Sequence, residues 1–199
     1  PRKHPGQERS RQMREDILAA SIRVLRRDGA VRFTTPRVAE AAGISVGSLY
    51  QYFPNKQALL FALHERAIDA AWGEVQHILD AKTASPRSKI RRIARLFFHA
   101  ESEEVAEMGT VLQDAELYFA DEPEHRAMNE RVLHRFTRFV RAAMPGRRSR
   151  ARVEFGAQVL VTVLESVGKS VAAQKLPRRA LDRWAVACAD MVADFLGLD

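Results

Sequence analysis

Apolar residues recur along this chain at spacings of three and four, the period of an α-helix, and no convincing strand pattern interrupts them. From about residue 8, Met13, Ile17, Ser21, Val24 and Leu25 share one face, while Arg14, Arg23, Arg26 and Arg27 lie off it. Asp28-Gly29 closes this first helix, residues 1–6 read as a flexible basic arm, and Phe33 is expected to tuck under the helices that follow. Thr35-Pro36 has the form of a helix start, a capping hydroxyl before a proline at the first helical position. Val38, Ala39 and Ala42 keep helical spacing, and Gly43 ends the segment as a left-handed cap does. Ser45 then caps a second short helix over 46–52, with Leu49 and Phe53 facing a core. Two short helices joined by a tight glycine turn predict a helix-turn-helix. With the first helix they make a three-helix domain.

Past this domain, Pro54-Asn55 breaks the pattern, and Asn55 is placed to cap a long helix from Lys56 to about Ala81. Its apolar positions are Leu59, Leu60, Leu63, Ala67, Ala70, Ala71, Val75, Ile78 and Leu79. Ser85-Pro86 restarts a helix, in which Ile90, Ile93, Ala94, Phe97 and Phe98 form a broad apolar band. Helical spacing continues through Val105, Met108, Leu112, Ala115 and Phe119 in a zone with nine acids and no Lys or Arg between Arg95 and Arg126. Asp121-Glu122-Pro123 starts another helix, with Met128, Val132, Phe136, Phe139, Val140 and Ala143 on its inner face, and Pro145-Gly146 ends it. From 153 to about 175 apolar residues surround the helix, more than one buried face requires. Pro177 opens the last helix, where Leu181, Trp184, Ala185, Cys188, Met191, Val192 and Phe195 recur at i, i+3, i+4. Two such terminal helices per subunit predict a four-helix dimer interface, built around Leu160, Val163, Leu164, Val167, Trp184, Cys188, Met191 and Phe195. The fold expected is all-α with about nine helices: an N-terminal helix-turn-helix domain over 1–53 and a helical sensing and dimerisation bundle over 54–199.

Charge adds direction to this outline. Residues 1–56 hold eleven basic and five acidic side chains, a net +6 of the chain's +7. That asymmetry predicts a polyanion-binding head on a nearly neutral body. One cysteine precludes an internal disulfide, and no apolar run approaches the roughly 20 residues of a membrane span. A soluble cytoplasmic protein without membrane contact is expected. The six histidines form no i, i+4 pair, no cluster has metal-ligand spacing, and no phosphate loop or nucleophile elbow is present. The expectation is no metal, no cofactor and no enzymatic activity.

The run VAEAAGISVGSLYQYFPNKQALL over 38–60 closely resembles the signature of the TetR family of transcriptional regulators. The resemblance implies a homodimeric repressor on a palindromic double-stranded DNA operator near a promoter. It also implies release when a small-molecule effector enters the helical body. The alternative from another class is a DNA-binding architectural protein that senses nothing.

The residues support the DNA reading in their own right. Gly47 and Ser48 are small enough for close approach in the major groove, Val46 offers a methyl surface to thymine, and Gln51 reaches towards a base edge. Tyr50 and Tyr52 suit phosphate contact, as do Thr35 and Ser45 at helix N-termini; Arg37 joins this DNA-facing set. Lys56, a cation in the first turn of a helix, opposes the helix dipole, a penalty that a bound phosphate reverses. Arg9 and Arg11 are read either as a minor-groove arm or as a solvated one. In the body, Trp72, Phe98, Met108, Leu112, Phe136 and Phe155 are candidates to line an effector pocket. Glu116 and Glu165 interrupt apolar surface and, if buried, need a partner, either an arginine or a cationic ligand.

Overall fold

A computed structural model describes residues 5–108, 123–146 and 148–199. Among these, eight α-helices and one 3-10 turn account for the regular structure, and there is no strand. They are α1 (Pro5–Asp28), the turn Ala30–Arg32, α2 (Thr35–Ala42), α3 (Val46–Tyr52), α4 (Lys56–Asp80), α5 (Pro86–Met108), α6 (Pro123–Ala143), α7 (Arg150–Ala172) and α8 (Arg178–Leu196). The helical spacing read through Leu112, Ala115 and Phe119 falls outside the described residues, so the expected ninth helix does too.

The local punctuation follows the chemistry of the caps. Gly43 takes φ 70° and ψ 30°, and its N–H returns to the carbonyls of Ala39 and Glu40, which closes α2 in a left-handed turn. The Ser45 hydroxyl accepts from the Ser48 N–H at 3.0 Å at the head of α3. Asn55 Oδ1 accepts from the Ala58 N–H at 2.7 Å at the head of α4. Ser149 caps α7 by accepting from the Arg152 N–H at 3.2 Å, a start three residues earlier than the apolar pattern indicates. Helix α1 already begins at Pro5, so Arg9 and Arg11 are helical rather than part of an arm, and Arg11 pairs with Glu8 at 2.6 Å.

The chain divides into two compact units, the first containing residues 1–68. Its core is Ile17, Leu18, Ala20, Val24 and Leu25 of α1, Phe33, Val38, Ala39, Leu49 and Phe53, and Leu59, Leu60, Ala62 and Leu63 of α4. The early turns of α4 thus belong to this core, so the compact unit runs past residue 53. Arg66 and Glu15, 2.9 Å apart, tie α4 to α1 at the surface, and the Arg14 guanidinium stacks 5.3 Å from the centre of the Phe53 ring.

The second unit contains residues 69–106 and 120–199. Its core joins Val75, Ile78 and Leu79 of α4 to Ile90, Ile93, Ala94 and Phe98 of α5 and to Phe136, Phe139 and Val140 of α6. Helices α7 and α8 add Val153, Ala157, Leu160, Leu164, Leu181, Ala185, Cys188, Val192 and Leu196. Helix α7 approaches α5 closely at Gly168, where a Cβ would stand 2.9 Å from the Phe97 ring. Polar staples join α5 to α8 and to the residues that follow it: Arg91 forks onto Asp190 at 2.7 and 2.9 Å, and Arg87 reaches the Leu198 carbonyl at 2.9 Å. The Arg91 hydrogen bond holds the Asp190 carboxyl below the usual carboxylate range. His99 Nε2 lies 2.9 Å from Asp182 and lowers that carboxyl in the same way.

Three residues assigned to a dimer interface lie inside this core. Leu160 is 0% exposed, Leu164 5% and Cys188 5% within the single chain, and burial pushes the Cys188 thiol up. The periodicity misassigned them because α7 carries two apolar faces and one of them meets the chain's own α5, α6 and α8. Trp184, Met191 and Phe195 do stand at the surface, and Val163 and Val167 are half-buried.

Candidate nucleic-acid interface

Several of the candidate DNA-binding residues gather on α3, whose other side is committed to the core. Leu49 is fully buried and Phe53 nearly so, which leaves Gly47 and Gln51 on the opposite face of a seven-residue helix, with Tyr50 on its flank and Val46 exposed at the N-terminal end. Val46, Gly47, Tyr50 and Gln51 are all exposed. A Cβ on Gly47 would meet only the Ser45 hydroxyl at 3.8 Å, so the glycine keeps this face low without being forced by the fold. Behind α3, the Arg23 guanidinium donates to the Ala41 carbonyl at 3.1 Å and holds the end of α2 to α1.

Thr35 does not cap α2. The N-cap is Thr34, extended at φ −136° and ψ 150°, while Thr35 is already helical and its side chain is buried. Its hydroxyl lies 3.1 Å from the hydroxyl of the exposed Tyr50, fifteen residues on, and so is turned to a side chain of α3 instead of to solvent. Thr34 is exposed, and its side chain makes no capping hydrogen bond. The threonine available to a phosphate at this helix start is therefore Thr34, which the sequence pattern does not single out. The adjacent hydroxyl of Thr35 conceals it.

The remaining candidates are partly engaged. Arg37 lies 3.2 Å from Asp28, which also binds Arg27 at 2.9 Å; the Arg27 hydrogen bond holds that carboxyl below its ordinary range. Ser48 shares a 2.8 Å hydroxyl–hydroxyl hydrogen bond with Ser45. Tyr52 is half-buried against the first core. Lys56 Nζ sits 5.6 Å from the centre of the Phe33 ring, a cation–π seat at the first turn of α4.

The effector candidates scatter. Phe98 and Phe136 are buried core residues of the second unit, and Trp72 tilts against Phe136 with ring centres 6.2 Å apart. Phe155 lines no interior: it is 52% exposed and meets Phe195 edge-on at 6.1 Å. Glu165 is exposed and pairs with Lys169 one turn on at 3.3 Å, so it is not the buried acid the apolar pattern around it predicts. Met108, Leu112 and Glu116 have side chains outside the described residues.

A left-handed glycine turn, a capped seven-residue helix with one exposed face, and a supporting α1 define the class: a three-helix DNA-binding domain of the helix-turn-helix type. Residues 17–63 match the family model described as bacterial regulatory proteins, tetR family. The match covers the three-helix head and the start of α4, residues 17–63 of the 199. The chain is 32% identical over 83 residues to the nucleoid occlusion factor SlmA of Marinobacter nauticus, covering 42% of each protein. It is 32% identical over 84 residues to the HTH-type transcriptional regulator EthR of Mycolicibacterium smegmatis, covering 42% of this chain and 39% of that one. The chain thus spans about two fifths of the length of these two curated relatives. The crystal structure of a TetR-family transcriptional regulator from Pectobacterium atrosepticum superposes with a TM-score of 0.67 over 98% of this chain and 97% of that one, at 17% identity, a likeness of fold. No helix among the described residues is long and apolar enough to cross a membrane.

Proposed function

We propose that this chain is a transcriptional repressor that binds a palindromic operator as a homodimer and leaves it when a small-molecule effector binds the helical body. The observation that carries the DNA half is the exposed face of α3, with Val46, Tyr50 and Gln51 in solvent while Leu49 anchors the helix from behind. Such a face enters a major groove and reads base edges, while Lys56, Thr34 and Tyr52 engage phosphates. Trp184, Met191, Phe195 and Phe155 support dimerisation: they leave an apolar stripe on α7 and α8 in water, and a second copy of the chain would cover it. The continuity of α4, whose residues contribute to both units, supports coupling between body and head.

Selection of bound duplexes from a random pool tests the DNA half. A two-fold symmetric consensus is expected, and its preference changes when Ser48 is replaced. Recovery of no consensus would refute sequence-specific binding. A relative named as a nucleoid occlusion factor favours a second reading, in which the chain binds DNA and senses nothing. A thermal-shift screen of small molecules divides the two, because a ligand that binds only the folded state raises the melting temperature.

A further inference from the structure

The near-neutral sum outside the head conceals a second basic region. Residues 57–125 carry −6, residues 155–199 carry zero, and residues 126–154 carry nine arginines against two glutamates, a net +7. This segment is α6, the turn after it and the start of α7, all in the second unit. On α6, Arg131, His134, Arg138 and Arg141 fall on one stripe at i, i+3, i+7 and i+10, a run of roughly 15 Å. All four are exposed, and among the described residues no carboxylate pairs with Arg138 or Arg141. Between α6 and α7 lies an open groove of about 780 Å³, lined by His134, Thr137, Arg138, Arg141, Arg150 and Glu154. On the other flank of Arg138 a second groove of about 290 Å³ includes Lys89 and Arg135.

Like charges three and four residues apart on a helix repel by a few tenths of a kcal/mol per pair, so Arg138 and Arg141 weaken α6 slightly, with no carboxylate among the described residues to offset it. The offset comes from a ligand. A single small anion would fill one groove and leave most of the arginines unneutralised, whereas a repeating phosphate backbone meets a row of planar guanidinium forks. Apart from the His134 imidazole, the lining of the 780 Å³ groove between α6 and α7 offers no ring on which a base could stack, and guanidinium groups dominate it. We infer that the α6–α7 face is a second nucleic-acid contact, which binds the phosphates of duplex DNA irrespective of sequence and separately from α3. The inference rests on the reading of this chain as a DNA-binding protein. The Arg150–Glu154 pair, 2.7 Å apart and solvent-exposed, is a weak surface contact that a phosphate displaces readily.

The test measures the affinity of the full chain for a random-sequence duplex against salt, for the wild type, the triple variant Arg138→Gln/Arg141→Gln/Arg150→Gln, and the same triple change to Lys. Each neutralised phosphate contributes about 0.9 to the slope of log K on log salt, so the Gln variant should be shallower by up to about 2.7 per bound chain. Its affinity loss between 50 and 200 mM salt then shrinks roughly 40-fold, while the Lys variant keeps the wild-type slope. The selected consensus is unchanged in all three. Unchanged slopes in a Gln variant that melts like the wild type would overturn the inference and leave the role of α3 standing. Loss of binding to phosphatidylglycerol vesicles with an unchanged DNA slope would also overturn it, in favour of a membrane surface. Absence of DNA binding by the wild type would overturn both readings.

Discussion

In the proposed interface, the hydrogen bond between Thr35 and Tyr50 separates a residue that would touch DNA from one that acts through it. Thr35 is 7% exposed, its hydroxyl is 3.1 Å from that of Tyr50, and Tyr50 is 47% exposed on the α3 face. Thr35→Val keeps the branched shape and removes the hydroxyl. The Tyr50 hydroxyl then turns to water, so no buried group is orphaned and the folded state loses little. A neutral hydroxyl pair contributes about 0.5–1.5 kcal/mol, and 3.1 Å lies beyond the usual O–H···O range, which favours the low end of that scale. A released Tyr50 must also be ordered again on binding DNA, at about 0.5–1.5 kcal/mol for an immobilised side chain. Thr35→Val should therefore weaken binding by about 0.5–1 kcal/mol, roughly a two- to five-fold rise in Kd. Fluorescence anisotropy on the selected operator, at one salt concentration, measures the double-mutant cycle with Tyr50→Phe. The expected outcome is that Thr35→Val has no further effect once Tyr50→Phe is in place, because there is no tyrosine hydroxyl to hold. An equal loss in both backgrounds would mean that Thr35 meets the DNA itself, and the positional argument would fail.

Leu160 lies in the core of the second unit and not at a partner surface, so Leu160→Ala should cost about 2–5 kcal/mol in urea unfolding, by an amount independent of protein concentration. A Trp184→Arg/Met191→Glu variant should instead remain folded and sediment as a monomer; a dimer would refute the stripe on α7 and α8 as the interface. The Asp190 carboxyl is held down by Arg91, so its contribution to stability is present above the ordinary carboxylate value near 3.9 and fades as pH falls through its lower folded value. Asp190→Asn should thus destabilise at pH 7, and the gap from wild type should narrow below about pH 4 in acid-unfolding curves. Lys56→Ala should weaken all duplexes alike and flatten the salt slope by about 0.9; an unchanged slope would place Lys56 on Phe33 alone.

Helix existence, the glycine turn and the serine and asparagine caps were legible in the residues because they act over three or four positions, within reach of the sequence pattern itself. Gly43, Ser45 and Asn55 behave as their types require whatever the rest of the chain does. The same local rules marked the threonine pair before α2 as a helix start but did not choose between its members. Only the tertiary structure placed Thr35 under Tyr50 and left Thr34 in solvent, because that choice depends on how α2 and α3 pack. Periodicity likewise shows which residues share a face but not which of two apolar faces a helix turns inward. Packing of α7 into the second core, chiefly beside α6 and α8, buried Leu160 and Leu164 and left Phe155 outside. The arginines of α6 were visible in composition throughout. Their convergence with Arg150 across one groove emerged only when α6 and α7 folded side by side, since charge along a chain becomes a binding surface through contacts distant in sequence.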